Sequence, residues 1–153
     1  MTLARDPNID DDSLKTWMWA GYENVSAVTN DTFTFTDTAR AAKWRSALAN
    51  DAATGGDMWL HGYWKFDWRD TFVRVKSIEA ATVATTPTTT GVQTEAGAQQ
   101  FTVTRDAKTP SQYPWVKGCR FYATNSLALL DVPGEYFVSS EGLLYVSQST
   151  ICL

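Results

Sequence analysis

The sequence predicts a mainly β fold: an antiparallel or mixed sheet module with one short helix, forming a single domain over residues 1–153. Three observations predict it. Several short runs alternate β-branched or aromatic residues with polar ones, which is the side-chain period of a half-buried strand. Near the C-terminal end, a three-residue loop with a glycine separates two apolar runs, as in a β-hairpin. Phe, Trp and Tyr supply enough large apolar surface for one core.

The first elements are predicted to be a loop and a strand. Residues 1–13 are polar and contain the turn signal Asp6-Pro7-Asn8, so this segment is expected to enter the fold as a loop. Residues 32–36 read Thr-Phe-Thr-Phe-Thr. Strict alternation of this kind places Phe33 and Phe35 on one face of a strand.

A helix is predicted over residues 38–49. Asp37 precedes it and is a good N-cap residue, because its carboxylate accepts a hydrogen bond from a free backbone N–H of the first turn. Asn50-Asp51 and Gly55-Gly56 are expected to end the helix. The apolar residues that recur at the spacing of one helix face are Ala41, Trp44 and Leu48.

The middle of the chain combines an aromatic block, a strand and a loop. Residues 57–70 are the most aromatic stretch, and residues 71–78 follow with valines that alternate with basic residues, as in a half-buried strand. Residues 81–98 are mainly Thr, Ala and Gly, with no apolar side chain larger than Val. This segment is expected to form a flexible loop, although Thr also favours a strand where a neighbour is available.

Two more strands and a helical turn are expected in the third quarter of the chain. Residues 101–104 alternate again, and residues 119–123 form a fourth strand candidate. Asn125 is placed to cap a single helical turn at residues 126–130.

A β-hairpin is the last predicted element. Its strands, at residues 135–139 and 143–147, are joined by a three-residue loop whose Gly142 suits a positive φ. The residues before it, 131–134, contain the Pro-Gly pair of a type I or type II turn.

Charge and composition exclude several kinds of partner. The net charge of −4 leaves no excess of positive charge to neutralise a phosphate backbone, so nucleic acid is not an expected partner. No stretch approaches the roughly 18 apolar residues of a membrane span, and residues 1–9 lack the basic and apolar regions of a signal peptide. No phosphate-cradling or metal-binding motif occurs, so no cofactor or metal is expected.

The cysteines and the glycosylation sequons say little about the compartment. Cys119 and Cys152 are too few for a disulfide framework; they either pair with each other or remain free thiols. Asn24 and Asn30 each begin an N-x-S/T sequon and are candidate glycosylation sites. The sequons are compatible with an exported protein.

Candidate chemistry is concentrated in the aromatic block. The candidate catalytic residues are Asp67, Asp70 and the only histidine, His61. A pair formed by Asp67 and Asp70 beside Trp rings would have one pKa raised for general-acid work on a glycosidic bond. The alternative is structural: His61 donates to a backbone carbonyl beside Gly62, the aspartates accept backbone N–H groups in turns, and the Trp residues fill the core. The candidate sugar-stacking residues are Trp59, Trp64 and Trp68.

Five segments together resemble right-handed parallel β-helix proteins of the pectate-lyase-like superfamily. In order they are LARDPN (3–8), WLHGYWKFDWRD (59–70), RFYATN (120–125), LDVPGEY (130–136) and GLLY (142–145). In the relatives that this chain is similar to, these segments belong to a region with β-helical coils on both sides. The resemblance therefore implies an internal or truncated segment of a longer β-helix protein.

The resemblance also sets the functional expectations. Many such proteins are exported and act on polysaccharides as lyases or hydrolases, with a groove along the coils, which implies an extracellular or cell-surface location. The leading hypothesis is a noncatalytic segment that contacts glycan or takes part in structural assembly, so the expected partners are a polysaccharide or other β-rich chains. The alternatives are part of a polysaccharide lyase or glycoside hydrolase, and a subunit of an extracellular filament or sheath, that is, an oligomer.

Overall fold

The computed structural model describes residues 1–8, 21–81, 100–106 and 114–148. Within these ranges the chain forms eleven strands, one α-helix and one 3₁₀ turn, so the prediction of a mainly β fold with antiparallel and mixed sheets is confirmed. The predicted loop at 81–98 lies outside the described residues, apart from its first residue.

The strands are short, except for the central pair. In chain order they are β1 (Thr2–Leu3), β2 (Arg5–Asp6), β3 (Glu23–Asn24), β4 (Ala27–Val28), β5 (Thr32–Phe35), β6 (Trp59–Phe66), β7 (Arg69–Ala81), β8 (Gln100–Arg105), β9 (Arg120–Thr124), β10 (Glu135–Val138) and β11 (Leu144–Val146). The helix α1 covers Thr38–Thr54, and the 3₁₀ turn covers Leu127–Leu129.

The strands form two sheets. The larger has the order β2-β9-β6-β7-β8-β5-β4, with β3 also paired to β9, and all of its neighbours are antiparallel. The smaller has the order β1-β10-β11; β1 runs parallel to β10, and β10 runs antiparallel to β11. Both sheets are open, so their outermost strands are edges.

The long strand β7 connects the two halves of the larger sheet. Its first half pairs with β6 and its second half with β8, and the register shifts between Val75 and Ser77. A bulge of this kind bends a strand and increases its twist. The sheet can therefore curve around one face, where the apolar side chains of both halves meet helix α1.

The core is a cluster of aromatic rings on that face. The Phe121 ring lies at its centre and is fully buried. The centroids of the four neighbouring rings lie 4.8 to 5.8 Å from that of Phe121. They belong to β5, α1 and β6, and are Phe33, Phe35, Trp44 and Trp64.

The strand predictions based on alternation are confirmed. Phe33 and Phe35 both point into the core from β5, and Val73 and Val75 do so from β7. The candidates at 101–104 and 119–123 correspond to β8 and β9. Period-two alternation identified β5, β7 and β8 because each has one face against the core, whereas β9 is buried on both faces.

The predicted N-terminal loop is wrong at residues 2–6, which form β1 and β2. Their polar composition hid contacts with distant parts of the chain: Ala4 N–H donates to Tyr136 O at 2.7 Å, and Trp44 Nε1 donates to the Asp6 carboxylate at 2.7 Å. Lys43 Nζ is 2.5 Å from the same carboxylate. Asp6 thus joins the N-terminal strand to the helix.

Helix α1 begins where predicted but runs five residues further than residue 49. Asp37 is its N-cap, and its Oδ1 accepts from Arg40 N at 2.8 Å. Asp51 does not end the helix because its carboxylate is buried and accepts a hydrogen bond from Ser126 Oγ at 2.7 Å. The helix ends at Gly55, whose φ of 68° is the left-handed conformation of a C-cap glycine.

The hairpin prediction is confirmed and the capping role of Asn125 is corrected. Leu143 O accepts from Ser139 N at 2.9 Å, and Gly142 has a φ of 81°. Asn125 does not cap the 3₁₀ turn. Its side chain instead donates to Asp57 O and Val138 O, at 3.1 and 3.2 Å, and accepts from Val138 N at 3.2 Å. It therefore ties the start of β6 to β10 across the two sheets.

We expect Gly62→Ala to lower the free energy of unfolding by about 1–3 kcal/mol, the usual cost of overpacking a core. An added Cβ would lie 2.6 Å from Cζ2 of Trp64. This ring cannot easily move, because it is buried and its Nε1 donates to Thr71 O at 3.0 Å. Urea unfolding of the purified chain measures the change.

The control is the same substitution in a Trp64→Leu background, where the ring is absent. The cost of Gly62→Ala should be smaller there, since contacting residues are not additive. An equal cost in both backgrounds would show that contact with the Trp64 ring is not the cause.

Candidate functional site

A second aromatic cluster covers the face of β6, β7 and β9 that points away from the core. Because side chains alternate along a strand, β6 and β9 carry aromatic residues on both faces, and β7 adds Phe72 to the outer one. His61 lies opposite Phe72 of β7 and Tyr122 of β9, with ring centroids 4.6 and 4.9 Å apart. Burial raises the pKa of Tyr122 to about 12, so its hydroxyl stays protonated at neutral pH.

His61 is held by Asp70 and not by a backbone carbonyl, which corrects the structural alternative drawn from the sequence. His61 Nε2 and Asp70 Oδ2 are 2.5 Å apart. The imidazole is buried, whereas the Asp70 side chain is 51% exposed. Nδ1 of His61 is also buried and has no hydrogen-bond partner among the described residues. The hydrogen bond from His61 lowers the pKa of Asp70 and outweighs the opposing effect of burial.

Asp67 has a different partner. Its Oδ1 lies 2.9 Å from Nη1 of Arg120, whose side chain is buried while that of Asp67 is exposed. The Arg120 guanidinium also lies over the Tyr63 ring, 4.3 Å from its centroid, a cation–π contact that holds it in place. The two aspartates are thus fixed by separate partners on the outer face of the sheet.

The electrostatics of Asp70 do not support the general-acid role that the sequence suggested for it. A glycosidic acid needs a carboxyl whose pKa is raised, so that it carries a proton at working pH. The pKa of Asp70 moves in the opposite direction, and the carboxylate remains ionised. Asp70 contacts His61 and Asp67 contacts Arg120, which are contacts of a structural network; a catalytic role for Asp67, Asp70 or His61 stays a prediction.

The three candidate sugar-stacking Trp residues lie in three different environments. Trp64 is 2% exposed, and its ring stacks on Phe121 in the core, so it has no face to offer a ligand. Trp59 is half-buried at the start of β6. Trp68 is 73% exposed in the turn between β6 and β7. Since Trp59 and Trp68 lie at opposite ends of β6, they do not form one platform.

Trp59 lines an apolar groove of about 380 Å³ between the two sheets. Its polar edge is Asn125, whose amide is already bonded to backbone groups of both sheets. The sequence analysis missed the groove because it depends on how β1 and β10 are placed beside β6 and β7. The lining residues are Leu3, Trp59, Phe72, Thr124, Asn125, Tyr136 and Val138.

Next to the groove, strand β11 leaves a continuous row of apolar side chains in solvent. The four residues from Leu143 to Val146 are all exposed, and Leu144 is 62% exposed. Among the described strands, β11 pairs only with β10, so its other edge has no strand beside it. The Leu-Leu-Tyr-Val run is a sequence signal for this surface, because it lacks the polar alternation of a strand with one solvated face.

The remaining predicted sites are only partly described. Asn24, in β3, and Asn30, in the turn between β4 and β5, are exposed, and glycosylation at either stays a prediction. Cys119 is a buried thiol, and burial raises its pKa to about 11. Cys152 lies outside the described residues, so pairing of the two cysteines stays untested.

Comparison with protein families, with curated proteins and with solved structures found no match to this chain. No helix within the described ranges is both long and apolar enough to cross a membrane. In the same part of the chain, no three His, Cys, Asp or Glu side chains are grouped so that they could hold a metal ion.

Asp70→Asn is expected to remove a pH-dependent part of the stability. Because the folded pKa of Asp70 lies below its usual 3.8, the contribution is fully present above that value and is lost as pH falls through the folded pKa. The exposed carboxylate is screened by solvent, so we expect less than about 1 kcal/mol. Urea unfolding from neutral pH down to about pH 3 should show the wild type and the variant converging in acid.

His61→Leu provides the matched background for this test. If His61 causes the shift, Asp70→Asn should have little effect on the pH dependence once the imidazole is gone. An unchanged effect in the His61→Leu background would mean that another group lowers the pKa of Asp70.

Cys119 is expected to react slowly with Ellman's reagent in the folded chain. The reactive form is the thiolate, which burial disfavours. The measurement uses Cys152→Ser, so that only Cys119 reports. Labelling should be slow in buffer at neutral pH and fast in urea; fast labelling of the folded variant would contradict the burial of this thiol.

Proposed function

We propose that the chain is a noncatalytic segment of an extracellular β-helix protein, and that strand β11 joins it to another β-rich chain. The observation that carries the proposal is the exposed apolar edge of β11. The resemblance of five ordered motifs to pectate-lyase-like β-helix proteins supports the family, and the two exposed sequons are compatible with the location.

Within the described residues, the edge of β11 is short, with three residues, but it lacks the charged side chains and the Pro that keep edge strands from pairing. Natural edge strands are protected by Lys, Pro, bulges or covering segments. Residues 143–146 contain no charged residue and no Pro, and the nearest charged residue in the sequence is Glu141. Burying a Leu such as Leu144 contributes about 1.5–3 kcal/mol. A strand that docks at this edge would form backbone hydrogen bonds with β11 and would also bury its apolar side chains.

The parallel pairing of β1 with β10 is a second supporting feature. Thr2 and Leu3 pair in register with Glu135 and Tyr136, although more than 130 residues separate them. Parallel strands need long connections, and here the larger sheet is built within that connection. A module inserted between neighbouring parallel strands is the arrangement expected of a region embedded in a β-helix.

The enzymatic alternative receives less support from the site. Asp67 and Asp70 are each held by a separate basic partner, and the pKa of Asp70 is lowered. The filament alternative also uses the β11 edge, but it needs a second, complementary surface on each copy, because pairing of this edge with the same edge of another copy closes as a dimer.

Leu144→Asp is expected to abolish association of the purified chain. In the absence of its natural partner, a second copy is the available β-rich chain, and it should pair through the same edge. A charge at the most exposed position of that edge opposes burial in such a contact. Sedimentation velocity over a concentration series should show association for the wild type and a monomer for Leu144→Asp.

Val28→Asp is the matched control, because Val28 is an exposed apolar residue of β4, the edge strand of the other sheet. This variant should associate like the wild type. A wild-type chain that stays monomeric up to its solubility limit contradicts the proposal, as does association that Val28→Asp abolishes and Leu144→Asp leaves intact. A dimer supports pairing of the two β11 edges, and an open series of larger species supports a head-to-tail contact between this edge and a second surface.

A further inference from the structure

The turn between β6 and β7 presents an aromatic ring in a fixed position. Phe66 and Arg69 are paired, so Asp67 and Trp68 form the tip of a tight hairpin. The Trp68 ring stacks on that of Phe66, with centroids 5.2 Å apart and planes 18° from parallel. Phe66 thus supports one face of the Trp68 ring, and the exposed fraction of 73% leaves the other face open.

An exposed Trp does not contribute the stabilisation that burial of its ring would give. That stabilisation is among the largest for any side chain. The tip nevertheless holds the ring firmly. Lys65 Nζ lies 5.1 Å from the centroid of the Phe66 ring, and Arg120 holds the neighbouring Asp67. A ring that is already oriented loses little conformational entropy when a ligand stacks on it.

The surroundings of the ring indicate the class of ligand. Lys65, Asp67, Arg69 and Asp70 surround Trp68 in the sequence, and Asp67 and Lys65 are exposed. A lipid surface or an apolar protein patch would have to remove water from these charges without replacing its hydrogen bonds. A pyranose ring has an apolar face of C–H groups and a rim of hydroxyls, so it stacks on the ring and bonds to the charges.

We propose that the tip of the β6–β7 hairpin is a binding site for a sugar ring of a polysaccharide. Trp68 stacks on the apolar face of the sugar, and the Asp67 carboxylate, oriented by Arg120, accepts a hydrogen bond from a hydroxyl. This site is independent of the β11 edge. The sugar binds to it reversibly, and no covalent bond is made or broken. It also differs from the aromatic cluster around His61, where the rings pack against one another.

Affinity gel electrophoresis tests the proposal with two polymers, neutral hydroxyethylcellulose and acidic polygalacturonate. The wild-type chain should be retarded by one or both, relative to a gel without polymer. Trp68→Ala should bind about tenfold or more weakly, the loss expected when an aromatic stacking partner is removed. Phe72→Ala removes another exposed ring from the strand that follows the turn and should leave retardation unchanged.

Two further measurements show whether weaker retardation comes from lost sugar binding, from unfolding of the variant or from docking at β11. Because Trp68 is exposed, Trp68→Ala should unfold in urea close to the wild type, so weaker retardation of this variant reflects the missing ring. The gels are repeated with Leu144→Asp, which should keep its retardation, so failure of sugar binding is distinguishable from failure of docking at β11.

Three results would overturn the site. They are no retardation by either polymer, retardation that Trp68→Ala leaves intact, and cosedimentation of the wild type with phosphatidylcholine vesicles that Trp68→Ala abolishes. The last would assign the ring to a lipid surface instead of a sugar.

Discussion

The fold depends on the burial of one ring, that of Phe121, between four other aromatic rings. These rings come from β5, α1 and β6, which are all far from Phe121 in the sequence, and Phe121 contacts each of them from β9. A buried aromatic residue contributes both apolar area and edge-to-face contacts. The position of Phe121 therefore fixes the helix against the sheet. Through β9 it also fixes β2 and β3, because both of these strands pair with β9.

The same central strands are covered on their second face, and this determines what the polar residues do. On β6 and β9, the residues that alternate with the core residues point to the opposite face. Three of them, His61, Arg120 and Tyr122, form a layer that is also buried. A buried imidazole or guanidinium needs a hydrogen-bonding or charged partner. Asp70 and Asp67 supply those partners from the surface. Their closeness to Trp residues, which in the sequence resembles a catalytic arrangement, is explained by this structural requirement.

Two apolar surfaces remain in solvent, and they differ in kind. The β11 edge is continuous, uncharged and without a neighbouring strand in the part of the chain that the structure describes, which suits a second strand. The Trp68 ring is isolated on a tight turn among charges, which suits a ligand that is apolar on one face and polar at its rim. Neither surface lies in the core or in the His61 layer. The proposed assembly contact and the proposed ligand contact therefore use separate parts of the chain.

Local patterns in the sequence determined the strands β5, β7 and β8, the start of helix α1 and the β10–β11 hairpin. Alternation, capping and turn chemistry act over a few residues, so they are legible without the fold. Only the tertiary structure decided the strands at residues 2–6, the position of Asp51 inside helix α1 and the groove at Trp59. Each of these features depends on contacts with parts of the chain more than 60 residues away. For the candidate site, the sequence identified the aromatic block but could not show which of its residues are buried and which are exposed. Trp64 and Trp68 have the same side chain four residues apart, and the bulge in β6 and the turn after it send one into the core and the other into solvent.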